Sequence, residues 1–117
     1  MVSSLGNHIR QCREKLKTED KTFSLRQVAQ RVEVEPSYLS KVERGLEVPS
    51  ESTVRRIAEE LGANADVMLA LAGKVSSDLQ QVIRKRPELF AQVIRELAQL
   101  PDHAVIRVVR EVRDGTW

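Results

Sequence analysis

Aromatic side chains are scarce in this sequence: two Phe, one Tyr and one Trp make up 3% of 117 residues. That argues against a single-strand platform, which stacks successive bases on rings. A single cysteine, Cys12, excludes an intrachain disulfide framework, and two histidines as far apart as His8 and His103 match no metal-ligand spacing. Phosphate-cradling glycine loops are missing, and so is any set of nucleophile, base and orienter. Neighbouring carboxylates such as Glu59 and Glu60 point to different helix faces, so neither catalysis nor a cofactor is expected. No apolar run approaches the roughly 18 residues that cross a bilayer. The opening MVSSLGNHIRQ has no apolar core behind a basic head, so a cytoplasmic protein is expected, with no membrane partner. An excess of one charge is lacking as well. Net charge is +2, with eleven Lys/Arg against eleven Asp/Glu in residues 1–73 and eight against six in residues 74–117. Charge alone therefore makes no case for nucleic acid, and such a case must rest on geometry.

What is present is helical periodicity, nearly everywhere, with no sustained alternation, so the fold is expected to be all-α. Leu5, Ile9, Cys12 and Leu16 share one face of a first helix that ends near Lys17. After the polar loop KTEDKTF, Ser24 can cap a second helix with Leu25, Val28, Ala29 and Val32 inward. Past the break EVE, Pro36 suits the first turn of a third helix, Leu39 and Val42 supply its inner face, and Gly45 closes it. Ser50 caps a fourth helix with Val54, Ile57, Ala58 and Leu61 inward, stopped by Gly62. Asn64 caps a fifth, ADVMLALA, stopped by Gly73. Residues 1–73 thus read as one five-helix bundle.

Residues 74–117 read as a second unit of three helices: one near Asp78 to Arg86, one begun by Pro87 and one begun by Pro101. In HAVIRVVREVR the apolar positions Val105, Ile106, Val108, Val109 and Val112 fit period 3.6 and not period 2. Leu89, Phe90, Val93, Ile94 and Leu97 back them on the preceding helix. So small a unit buries little surface alone, so this stripe is expected to need a partner, most economically a second copy of the chain.

The second and third helices with their short break form a helix-turn-helix, whose second helix enters the major groove. Periodicity alone does not separate that from any helical bundle. The run SLRQVAQRVEVEPSYLSKVERGLEVPSESTVRRIAEELG does. With Ala29, Val34, Tyr38-Leu39-Ser40-Lys41, Glu43, Gly45, Pro49-Ser50 and Leu61-Gly62 in place, residues 9–73 resemble the phage-repressor and Cro-like family of helix-turn-helix regulators, also called the xenobiotic-response-element family. The resemblance implies a five-helix lambda-repressor-like DNA-binding bundle, followed here by a three-helix dimerisation unit. Two features depart from the family. The loop after the first helix is longer, and Glu33 stands where the turn usually has a small residue such as glycine, so it must adopt a left-handed conformation or a different turn.

With Leu39 and Val42 inward, Ser37, Ser40, Lys41 and Arg44 face outward, Ser37 and Lys41 one turn apart. Lysine can donate to guanine O6 and N7, whereas serine discriminates poorly. The resemblance makes Ser37 and Lys41 the main base-contacting positions, and Tyr38 and Arg44 positions that touch backbone or flanking bases; Ser40 joins the base-reading group. Tyr38 can equally pack at the edge of the bundle. Ser24, Arg26 and Gln27 open the second helix, where a phosphate is favoured, although capping alone explains Ser24. Arg13 and Glu43 match positions that form a partly buried ion pair in family members. Cys12 reads as a small buried hydrophobe, and His8 and His103 as surface residues.

A sequence-specific regulator is expected, a repressor binding a palindromic double-stranded operator as a homodimer with recognition helices about 34 Å apart. The other reading is an antitoxin-like or adaptor module whose C-terminal stripe captures a toxin or other protein. The tail also resembles the dimerising pieces of damage-response and defence repressors that a regulatory peptidase cuts.

Overall fold

The computed structural model describes residues 4–117, and every regular element among them is helical, as the periodicity implied. In order these are α1 (Ser4–Lys17), α2 (Leu25–Arg31), α3 (Pro36–Glu43), α4 (Glu51–Leu61), α5 (Ala65–Leu71), α6 (Ser77–Lys85), α7 (Pro87–Ala98) and α8 (Asp102–Asp114). The chain divides into two compact units between Ser76 and Ser77. That is three residues beyond Gly73, because Lys74 and Ser76 belong to the first unit. Lys74 Nζ donates to the Pro49 carbonyl at 3.4 Å, and Ser76 is buried.

Local chemistry starts helices α2 to α5 of the first unit. Ser24 Oγ accepts from Gln27 N, Ser50 Oγ from Thr53 N and Asn64 Oδ1 from Val67 N. Each such cap is worth about 1 kcal/mol over alanine. Pro36 sits in the first turn of α3, where its missing N–H costs nothing. The long loop after α1 is organised rather than slack: it forms a 3-10 turn, Lys21–Phe23. Asp20 Oδ1 accepts from Thr22 Oγ1 at 2.6 Å and from Thr22 N at 2.9 Å, and these bonds hold the Asp20 carboxyl below its ordinary pKa.

Those starts place one apolar face of every helix of the unit on a shared core. It contains Leu5 and Ile9 of α1, Val28, Ala29 and Val32 at α2, and Leu39 and Val42 of α3. Val54, Ile57, Ala58 and Leu61 of α4 and Met68 and Leu69 of α5 complete it. Full burial of one such aliphatic chain is worth about 1.5–3 kcal/mol. Leu25, expected inward, and Cys12 are only half-buried, since both lie at the rim of the cluster; Cys12 Sγ lies 3.8 Å from His8 Nε2.

Two features fasten α3 to α1. The first is Gly6, where a Cβ would stand 2.5 Å from the carbonyl oxygens of both Val42 and Glu43, so the backbones meet with no room for a methyl group. The second is the Arg13–Glu43 ion pair. Arg13 Nε donates to Glu43 Oε2 at 2.7 Å and Nη2 donates to Oε1 at 3.0 Å. The remaining nitrogen donates to the Phe23 carbonyl at 3.3 Å. Both side chains are buried, and the Glu43 bonds hold the Arg13 pKa above its ordinary value. A bidentate buried pair in which every guanidinium nitrogen is hydrogen-bonded is the geometry in which two charges tolerate leaving water.

The second unit, Ser77–Trp117, has no buried residue. Proline divides α6 from α7 as expected, while Pro101 occupies the N-cap of α8 rather than its first turn. Of the expected stripe, Phe90, Leu97, Val105 and Val108 are half-buried, whereas Val93, Ile94, Ile106, Val109 and Val112 are exposed. Leu79, Val82, Leu89 and Leu100 are exposed too.

Two outcomes test the α1–α3 joint by thermal unfolding. Gly6→Ala should destabilise the first unit by about 1–3 kcal/mol, as overpacking against rigid carbonyls does. Glu43→Ala strands a buried guanidinium and should cost about 3–5 kcal/mol; an unshifted melting curve would assign the pair no part in the fold.

Candidate nucleic-acid interface

α3 is eight residues long, and its two sides are chemically distinct. Leu39, Val42 and Glu43 are buried, and this fixes which residues remain outside. Ser37, Lys41 and Arg44 are exposed. Ser37 and Lys41 stand one turn apart, and Lys41 has no carboxylate partner among the described residues. A free ammonium beside a short hydroxyl, on a helix held from behind, can donate to acceptors in a groove.

The helix ends cleanly after Arg44. Gly45 takes a left-handed conformation, φ 79°, with Gly45 N donating to Val42 O and Leu46 N to Lys41 O. These bonds satisfy the last carbonyls and turn the chain away within two residues, so nothing continues α3 beyond its exposed stripe.

The other candidate residues divide by environment. Tyr38 is half-buried and packs against the core, so much of its ring belongs to the bundle. Ser40 is half-buried as well and faces the α1 side, lining a groove with Arg10, Arg13, Leu25, Glu43 and Arg44. In that groove Arg10 pairs with Glu14 and Arg13 with Glu43. Arg44 is left with only a long bond, 3.4 Å, to the Ser40 carbonyl. Ser40 therefore flanks the Ser37–Lys41 stripe rather than continuing it.

At the start of α2, Ser24 and Gln27 are committed to each other. The Ser24 hydroxyl donates to Gln27 Oε1 at 3.0 Å and accepts from Gln27 N at 3.2 Å, a capping arrangement that explains both residues. Arg26 is exposed, and with Gln30 it lines a groove reaching Glu33, Val34, Glu35 and Pro36.

Three contacts around α3 were not read from the sequence. Glu33 adopts the left-handed alternative, φ 63°, and its carboxylate pairs with Arg56 of α4 at 3.2 Å. Arg31 at the end of α2 pairs with Glu60 of α4, and its guanidinium lies 5.0 Å from the centre of the Phe23 ring. The Gly6 approach is the third. Only the glutamate in the turn was visible in the sequence as an anomaly; its partner was not. Among the described residues no group of His, Cys, Asp and Glu is arranged to hold a metal, and no helix is long and apolar enough to cross a membrane.

Over 50 residues the chain is 46% identical to two uncharacterized HTH-type transcriptional regulators from two strains of Mycobacterium tuberculosis. That stretch covers 43% of this chain and 36% of each relative, so the match spans about a third of the length of these curated relatives. The crystal structure of the clp gene regulator ClgR from Corynebacterium glutamicum is 28% identical, covering 83% of this chain and 92% of that one, with a TM-score of 0.49. The helix-turn-helix domain model matches residues 4–71, which begin with α1 and end with α5. With more than half of its length so matched, the chain belongs to the helix-turn-helix domain family.

Proposed function

We propose that this chain is a sequence-specific DNA-binding transcriptional regulator of the phage-repressor-like kind, a repressor that binds a palindromic operator as a homodimer. The observation that carries the reading is the exposed Ser37–Lys41 stripe of α3, backed by Leu39, Val42 and the buried Arg13–Glu43 pair. A recognition helix needs such a stripe held rigidly, because base readout depends on donor placement to a fraction of an ångström. In this reading Lys41 donates to a base edge, Ser37 reads beside it, and Ser40, Tyr38 and Arg44 meet flanking bases or backbone. Arg26 and the side-chain Nε2 of Gln27, whose backbone N–H and Oε1 are already engaged by Ser24, contact phosphate, fixing register without reading sequence.

The homodimer reading is supported by the second unit. Nine aliphatic side chains there, from Leu79 to Val112, are each 41–60% exposed. Covering the exposed half of each is worth roughly 1 kcal/mol, on the order of 10 kcal/mol in all, a quantity suited to a stable association. A second copy brings the same apolar stripe, as a two-fold interface requires. Joining two half-site binders then multiplies their affinity by orders of magnitude.

Two measurements test this. In equilibrium titration at moderate salt the protein should prefer its own promoter region to random duplex. Lys41→Ala should remove about 1–3 kcal/mol of that discrimination per half-site while leaving thermal stability unchanged. Equal affinity for both duplexes would sink the reading. In sedimentation Val109→Asp should convert the dimer to monomer and lower operator affinity at least a hundredfold. A wild-type chain that sediments with a different protein would give the stripe to the antitoxin-like alternative.

A further inference from the structure

Helices α2, α3, α4 and α5 all stop in the same way. At each end a residue in left-handed conformation donates to the carbonyl three residues before it, and the next residue donates to the carbonyl five residues before itself. The paired bonds are Glu33 N to Gln30 O with Val34 N to Ala29 O, and Gly45 N to Val42 O with Leu46 N to Lys41 O. At α4 they are Gly62 N to Glu59 O with Ala63 N to Ala58 O, and at α5 Gly73 N to Ala70 O with Lys74 N to Leu69 O. Three of the four use glycine, which takes that conformation without strain. Glu33 alone among the described non-glycine residues has a positive φ, and it occupies the turn that joins α2 to the recognition helix.

A side chain kept at a strained position needs a use. Glu33 Oε2 accepts from Arg56 Nη1 at 3.2 Å, and Arg56 Nη2 donates to the hydroxyl of buried Thr53 at 3.2 Å. Ser50, the N-cap of α4, donates to the same hydroxyl at 3.1 Å. One turn along α4, Glu60 accepts from Arg31. The end of α2 thus offers a cation and then an anion, and α4 answers with an anion and a cation. The two pairs tie the end of α2 and the turn that follows it to α4. α3 packs chiefly on α1 and α2, so a tie from this turn to α4 adds a direct hold by α4 on the angle at which α3 leaves α2.

We infer that Glu33 and Arg56 are positioning residues for base readout: their ion pair ties the helix-turn-helix turn to α4 and fixes the angle of α3, without either side chain reading a base. The inference rests on the proposed DNA-binding function. It also makes a prediction of unusual sign. Removing an acidic charge beside DNA should, on electrostatics alone, tighten binding to any duplex. Loss of positioning does the opposite for the preferred duplex.

The test uses the full chain, titrated with a duplex of its own promoter region and with a random duplex at moderate salt. Glu33→Gln keeps the size and the strained backbone but removes the ion pair. The ratio of the two affinities should fall about fivefold per half-site, the upper range for an exposed pair. Arg56→Glu should lower it at least as much, and the exchanged double variant Glu33→Arg with Arg56→Glu should recover most of the loss. Glu33→Gly separates positioning from stability: it should melt higher than wild type, since the strain is gone, and still lose discrimination. Tighter binding of Glu33→Gln to both duplexes, or no recovery in the exchanged variant, overturns the inference and leaves the functional reading standing. A wild-type chain with no preference overturns both.

Discussion

Two opposite charges taken out of water between α1 and α3 hold the outer face of this small bundle in register. Arg13 is anchored within α1, Glu43 is the last residue of α3, and the Phe23 carbonyl just before α2 accepts the nitrogen left over. A single guanidinium thus ties α1 to the 3-10 turn and to α3. Neither charge is tolerable alone in that place, so the pair acts as a condition on the packing more than as a source of stability. Gly6 lies against the same carbonyl end of α3 and lets the backbones close to a distance that any other residue would prevent. The exposed Ser37–Lys41 stripe is the consequence: an eight-residue helix, too short to be stable by itself, shows a defined outer side because its inner side is fully committed.

The order of the sequence makes some of this visible and hides the rest. Ser24, Ser50 and Asn64 were legible as caps, and Gly45, Gly62 and Gly73 as stops, because each acts on backbone within a few residues of itself. Periodicity gave the inward faces of α3 and α4, and that of α2 apart from Leu25, for the same reason. The Arg13–Glu43 pair spans 30 positions and was legible only through resemblance to a family. Gly6, the Glu33–Arg56 pair and the Arg31–Glu60 pair were not legible at all, since they depend on how α1, α2 and α4 approach one another. Ser40 and Tyr38 show the limit of directional reasoning. Fixing Leu39 and Val42 inward defines only the outward half of the helix, and both residues fall at its margins, where α1 and the bundle edge cover them.

Charge and burial are distributed unevenly between the two units, and the proposed function needs both facts. The first unit is well packed and electrically balanced, eleven cations against eleven anions, so it has little of the diffuse attraction by which many proteins hold DNA. Its ion pairs consume Arg10, Arg13, Arg31, Arg55 and Arg56 internally. On the proposed reading, Lys41, Arg44 and Arg26 are the cations of α2 and α3 left to meet a duplex, which suits discrimination better than raw affinity.

A reading head that binds weakly by itself moves control elsewhere. If each half-site is weak, occupancy of an operator depends on whether two heads are joined, and joining is the task proposed for α6, α7 and α8. That unit buries no residue of its own, so its stability and its association draw on the same apolar stripe. Anything that cuts, occupies or unfolds the stripe would then release the operator without touching α3. On the proposed reading, recognition belongs to the part of the chain that the buried Arg13–Glu43 pair holds together, and adjustability to the part that buries no residue.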